Sequence, residues 1–125
     1  MPKYAALIYT PAETEGQGSP EVLEQVMADY TEFGDNAGAA GVIAAGEALH
    51  DTNTATTIQV QGGKGGDAVF TDGPFAETKE VLGGFYILDV ADLDEALKWA
   101  QQIPGAWHGK VEIRPVFEFD GNSEG

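Results

Sequence analysis

The sequence contains no cysteine and few basic residues, and these two shortages exclude several classes of protein. Without cysteine the chain cannot form disulfides, thiolate metal sites, iron–sulfur clusters or a cysteine nucleophile. Only 6 Lys and Arg stand against 21 Asp and Glu among 125 residues, which gives a formal net charge of −15. Because the few cations are scattered and form no basic patch, we expect no binding to nucleic acid.

Long apolar runs and leader-like segments are also missing. No stretch approaches the roughly 18–20 apolar residues that span a bilayer. The segment Met1–Tyr4 has one lysine and leads into strand-like sequence, which is unlike a signal peptide. These features predict a cytoplasmic protein without membrane contact. The length of 125 residues and the 42% hydrophobic content are typical of one domain, 1–125, with a frayed tail at 120–125.

Apolar periodicity predicts six strands and two helices. The strands are expected at 3–10, 42–49, 55–61, 68–71, 81–90 and 111–119. The first helix begins at Ser19-Pro20-Glu21, where serine can cap and proline fits the first turn, and it ends at Gly38–Gly41. The second begins at Asp92, which forms a capping box with Glu95, and it ends at Pro104-Gly105.

This element order predicts an α+β fold of the ferredoxin-like kind, with an antiparallel sheet and two helices on one face. Such a sheet leaves its second face without helices. An uncovered apolar face is commonly covered by a second copy of the chain. We therefore expect a homodimer in which two sheets pack face to face.

Few residues offer chemistry on their own. His50 and His108 are the only imidazoles, and their spacing matches no metal site, so no metal and no cofactor are predicted. His50 stands beside Asp51, which can orient it, or it is an ordinary loop histidine. Arg114, the only arginine, is either a structural ion-pair partner or the anchor for an anionic ligand. The glycine run 62–66 lacks the helix of a phosphate loop and predicts a hairpin turn.

The most specific segment runs from Asp72 to Glu80, with the sequence DGPFAETKE. Asp72 can hydrogen-bond the backbone two residues on, while Gly73 and Pro74 restrict the turn. Together with Glu47 after the second strand, this segment resembles the DGPF branch of the YCII-related family. The resemblance extends over about residues 3–117 and includes the segments 54–58, 81–86 and 111–116.

The resemblance implies a dimeric α/β-barrel. Members of the wider family have a proposed His–Asp active pair, with the histidine on the first helix. That position falls at Asp29 or Tyr30 here, and the predicted helix contains no histidine. Members of the DGPF branch are often described as related to transcription.

Two functions follow as hypotheses. In the first, the chain is an enzyme or a small-molecule-binding protein with a cleft at the dimer interface. Asp72 is then the general acid or base, and Glu47, His50 and Arg114 are binding residues in the cleft. In the second, the chain is a non-catalytic binding or regulatory module, linked to transcription without direct contact with DNA.

Overall fold

The computed structural model describes residues 1–119, so the predicted tail at 120–125 lies outside the described residues. The strands are β1 (Lys3–Pro11), β2 (Ile43–Ala48), β3 (Thr56–Gln61), β4 (Asp67–Asp72), β5 (Glu80–Asp89) and β6 (Lys110–Pro115). The helices are α1 (Pro20–Ala39), α2 (Leu93–Ala100) and α3 (Gly105–His108). Single 3-10 turns lie at Ala12–Thr14 and Thr52–Thr54.

Four strands form one antiparallel sheet in the order β2-β5-β1-β6. The two connections that run through helices join β1 to β2 and β5 to β6, which is compatible with a ferredoxin-like fold. The predicted α+β class is therefore confirmed. Strand β1 lies in the interior of the sheet, between β5 and β6.

The helices cover one face of this sheet. Ala6 and Ile8 of β1 are buried, and they belong to one apolar cluster with side chains of both long helices. The buried helical members are Phe33 and Ala37 of α1 and Ala96 and Ala100 of α2. Local capping begins both helices as predicted, because Ser19 Oγ accepts from the Val22 amide at 3.2 Å and Asp92 Oδ1 accepts from the Glu95 amide at 2.9 Å.

The opposite face, which we call the open face, presents the alternate residues of the same strands. Leu7 lies directly across from Phe85, and Ala5 lies across from Ile87. Both long helices, α1 and α2, pack on the other face of the sheet, so no helix among residues 1–119 covers the open face. All of these four side chains are partly exposed in the single chain.

The structure differs from the predicted pattern in three places. Pro104-Gly105 does not end the helical region, because the short helix α3 follows it. Strand β6 ends at Pro115 rather than at residue 119, so Phe117 and Phe119 are 76% and 70% exposed instead of continuing the buried face. Strand β3 pairs only with β4, so these two strands form a separate hairpin instead of joining the main sheet, and Ile58 of β3 is 60% exposed.

Candidate functional site

A broad cleft of about 1180 Å³ opens where the ends of β1 and β5 meet the base of the β3–β4 hairpin. We call it the Asp72 cleft. Four segments form its walls: the end of β1 with the turn after it, the connection 49–55, the segment 72–78, and the start of β5. Its apolar lining comes from Leu49, Phe75, Val81 and Leu82. Its volume is somewhat larger than the roughly 300–1,000 Å³ of typical small-molecule sites.

Backbone hydrogen bonds hold the turn that begins with Asp72. Gly73 has φ +95°, a left-handed conformation that side chains other than glycine rarely adopt. Its amide donates to the Ala55 carbonyl at 2.7 Å, and its carbonyl accepts from Thr57 Oγ1 at 2.8 Å. These two bonds join the turn to the start of β3, so the position of Asp72 does not depend on its own side chain.

The Asp72 carboxylate is exposed and makes no hydrogen bond within residues 1–119. The expected side-chain bond from Asp72 to the turn is therefore not present in the described part of the chain. The two carboxylate oxygens remain available to a ligand in the cleft.

A two-point contact fixes the opposite wall. The Glu15 carboxylate accepts from the Thr52 amide at 2.9 Å and from Thr52 Oγ1 at 2.6 Å. These hydrogen bonds favour the ionised form, so they lower the pKa of Glu15, first through the side chain of Thr52 and then through its backbone. The contact joins the turn after β1 to the connection that includes His50, which lies two residues before Thr52.

Acidification should therefore break the hydrogen bonds between Glu15 and Thr52. Because the folded-state pKa of Glu15 is lowered, the contact is at full strength above the usual glutamate value and is lost as pH falls through the lowered one. We expect the NMR signal of the Thr52 amide to titrate with a midpoint below that of an ordinary glutamate. The Glu15→Gln variant should lack this transition. A Thr52 signal that does not move, or that moves equally in both proteins, would contradict the contact.

The four residues proposed from the sequence divide into two pairs. Asp72 and His50 line the same cleft. Glu47 and Arg114 lie outside it, on the open face, where Glu47 is opposite Phe85 and Arg114 is opposite Ala5. They occupy the two edge strands of the sheet, about 14 Å apart at three strand spacings. The single chain therefore does not bring Glu47 and Arg114 into the site of Asp72.

Sequence reasoning missed two residues of the cleft wall. Tyr9 lies near the end of β1, directly opposite Leu82, and both alternate onto the open face. Glu15 lay in a segment that was predicted only as a loop, and its partner Thr52 is 37 positions away. No local pattern indicates so distant a contact. For Tyr9, the alternation of β1 was a usable signal, since it places every second residue on the uncovered side.

No group of three or more His, Asp or Glu side chains within residues 1–119 is arranged to hold a metal ion. In the same part of the chain, every helix is too short or too polar to cross a bilayer.

The YCII-related domain matches residues 2–120, which is nearly the whole chain. This chain belongs to the YCII-related family. An uncharacterised protein of Rhizobium meliloti (strain 1021) is 37% identical over 115 residues, and the match covers 90% of each chain. The matched region of the domain includes all the segments that line the Asp72 cleft.

In this YCII-related chain, the first-helix position of the proposed family histidine lies away from the Asp72 cleft. Asp29 accepts a hydrogen bond from Gln25 Nε2 at 2.9 Å on α1. Tyr30 packs against the core, and burial, with a smaller effect from Tyr86, raises the pKa of its hydroxyl. Neither residue lines the cleft, and His50 is the imidazole of the described residues that lines the same cleft as Asp72.

Proposed function

We propose that this protein, a cytoplasmic member of the DGPF branch, binds a small molecule in the Asp72 cleft and uses Asp72 as a general acid or base. The observation that supports this proposal is the meeting of Asp72 and His50 in one cleft. Carboxylate and imidazole are the side chains that enzymes most often use to move protons. The hydrogen-bonded turn at Gly73 fixes the backbone next to Asp72 before any ligand binds.

The proposal includes a homodimer built on the open face. Leu7, Phe85 and Ile87 form an apolar strip along the middle of that face. Tyr9 and Leu82 belong both to this face and to the wall of the cleft. A second copy seated on the open face therefore covers one side of each cleft and excludes water from it.

The lining of the cleft favours a neutral or cationic ligand. Besides Asp72, the acidic side chains Glu15, Asp51, Glu77 and Glu80 line the cleft, and no lysine or arginine of the described residues does. An anionic ligand would meet like charges on several sides. Arg114, the expected anion anchor, lies outside the cleft.

A ligand screen on wild type and two Asp72 variants tests this function. Hits are first found by thermal shift on wild type and then titrated against Asp72→Asn and Asp72→Ala. If Asp72 serves the site, both variants keep or gain stability, because functional residues often reduce stability, and they bind the hits at least about tenfold more weakly. Asp67→Asn, at the other end of β4 and equally exposed, is the matched control and should bind like wild type.

Two results would contradict the site role. One is a loss of roughly 1–2 kcal/mol of stability in both Asp72 variants while the hits still bind, which would leave only the turn role. The other is the absence of any hit that perturbs the NMR signals of the cleft residues.

The alternative proposal is a non-catalytic binding or regulatory module, linked to transcription without direct contact with DNA. It is favoured by Asp29 and Tyr30, which stand where the wider family's active pair would have its histidine. The same hits discriminate the two proposals. A catalyst converts at least one hit to product in a manner that depends on Asp72, whereas a binding module releases every hit unchanged.

A further inference from the structure

We propose that the loop between β1 and α1, residues 12–19, is a gate of the Asp72 cleft and that the contact between Glu15 and Thr52 is its latch. The opening of this latch sets how fast a ligand enters and leaves the cleft. This inference rests on the ligand site of the proposed function and adds how access to that site is controlled. We call residues 12–19 the β1–α1 loop.

The β1–α1 loop forms part of the cleft wall while most of it lies on the surface. Ala12 and Glu15 line the cleft, next to Thr52 of the connection 49–55. Glu15 is half-buried, whereas every other residue from 13 to 19 is exposed. A movement of the loop therefore changes the cleft without disturbing the apolar core.

Within residues 1–119, the side chain of Glu15 is what ties the middle of the loop to another part of the structure. Its carboxylate accepts from the amide and the hydroxyl of Thr52. The other hydrogen bonds of residues 13–17 are local, and they run from the amides of Glu15 and Gln17 and the hydroxyl of Thr14 to the carbonyls of Ala12, Thr14 and Pro11. Loss of the contact with Thr52 therefore frees the middle of the loop.

Both ends of the loop are fixed, so its movement is confined to the middle. The Ala12 amide donates to the Lys79 carbonyl at 2.7 Å at one end, and Ser19 caps α1 at the other. Between these anchors Gly16 has φ +74° and Gly18 has φ +119°, conformations that favour glycine. Hinges of moving loops are a few residues, often small ones, that absorb changes in φ and ψ. The two glycines therefore provide hinges directly after the latch.

The candidate residues of the cleft do not depend on the latch for their position. Backbone hydrogen bonds hold both ends of the connection 49–55, from the Leu49 amide to the Gly83 carbonyl at 2.8 Å and from the Gly73 amide to the Ala55 carbonyl at 2.7 Å. Neither bond involves Glu15. We therefore expect His50 and Asp72 to stay in place while the loop moves, so that the latch governs access to the cleft and not its chemistry.

A gate and a direct ligand contact predict different kinetics. Where a loop must open before a ligand can pass, a weaker latch raises the association and dissociation rate constants together and leaves the Kd nearly unchanged. Loss of a direct contact between Glu15 and the ligand acts mainly on the dissociation rate and weakens the Kd. The two rate constants, measured side by side, therefore separate the two roles.

The exchange kinetics of a hit from the ligand screen test the gate. In Glu15→Ala, which removes both hydrogen bonds, both rate constants should rise about tenfold, with a Kd within about threefold of wild type. Thr52→Val removes only the hydroxyl donor and should give a smaller rise of both constants. Thr52→Ser keeps both donors and should exchange its ligand like wild type. Glu13→Ala is the matched control, because it removes the same charge from an exposed residue of the loop that does not line the cleft.

Amide hydrogen exchange measures the gate without a ligand. The Thr52 amide reports the latch itself, and the Gln17 amide reports the loop. Both should exchange about tenfold faster in Glu15→Ala than in wild type, while the Gly73 amide keeps its wild-type rate. Unchanged exchange of the Gln17 amide would overturn the gate, whatever the ligand screen finds.

Failure of the gate is distinguishable from failure of the proposed function. Hits that bind with wild-type rate constants in Glu15→Ala would overturn the gate and leave the ligand site intact. A rise of the dissociation rate alone would make Glu15 a ligand contact and would also overturn the gate. If no hit binds in the cleft, the proposed function fails, and the exchange rate of the Gln17 amide then supports or overturns the opening of the loop by itself.

Discussion

Replacing Phe85 by glutamate is expected to convert the proposed dimer into a monomer. Phe85 lies in the middle of the open face, directly opposite Leu7, so the proposed interface would bury one new carboxylate from each subunit. Burying an ionised carboxylate without a partner costs several kcal/mol, which weakens association on the order of a thousandfold or more. Light scattering should then fall from twice 13.2 kDa to 13.2 kDa at micromolar concentration.

The control for this variant must add the same charge on the other side of the molecule. Met27→Glu does so, because Met27 is 69% exposed on α1, the helix that packs on the covered face of the sheet. It should remain a dimer. Leu7→Glu, on the neighbouring strand of the open face, should repeat the effect of Phe85→Glu. A Phe85→Glu protein that keeps the wild-type mass would show that the dimer, if present, uses another surface.

Truncating Leu88 to alanine should strongly lower the free energy of unfolding. Leu88 lies on β5, opposite Tyr4 of β1 and Ile43 of β2, and it is 0% exposed. Removing a fully buried leucine side chain leaves a cavity that close-packed neighbours fill only in part, at a cost of about 2–5 kcal/mol. Urea unfolding should show this loss as a lower midpoint with an unchanged slope.

Leu97→Ala is the matched control for this prediction. Leu97 belongs to α2 and is 41% exposed, so the same truncation removes less buried surface. The loss in the free energy of unfolding should therefore be clearly smaller for Leu97→Ala than for Leu88→Ala. Equal losses in the two variants would contradict the assignment of Leu88 to the centre of the core. Because unfolding of the proposed dimer would depend on concentration, both measurements should be made at one protein concentration.

Local sequence patterns correctly predicted those structural features that depend on residues only a few positions apart, such as the starts of the two long helices. The cap at Ser19 and the capping box at Asp92 each depend on a backbone amide three positions away. Arg114 lies on the face opposite Val111 and Ile113, as the alternation of a strand requires. Alternation did not predict the end of β6 at Pro115, a residue without the amide needed to continue the ladder.

The short helix α3 shows why a local signal can mislead. Pro104-Gly105 was interpreted as a stop, yet proline is also favoured at the beginning of a helix. The structure buries both residues, and a Cβ on Gly105 would overlap Cγ2 of Ile8. The close approach of α3 to β1 therefore requires glycine at this position, a requirement set by packing and not by the neighbouring residues.

The sequence by itself determined the family, the α+β class, the acidic surface and the rigid turn at Gly73, because each depends on composition or on residues close together in the chain. The tertiary structure alone decided that Asp72 and His50 share a cleft while Glu47 and Arg114 stand at opposite edges of the open face. The physical reason is the strand order β2-β5-β1-β6, which follows from packing the whole sheet against α1 and α2. That order separates β2 from β6 by two strands, and long-range hydrogen bonds such as Gly73 to Ala55 and Thr52 to Glu15 bring the walls of the cleft together.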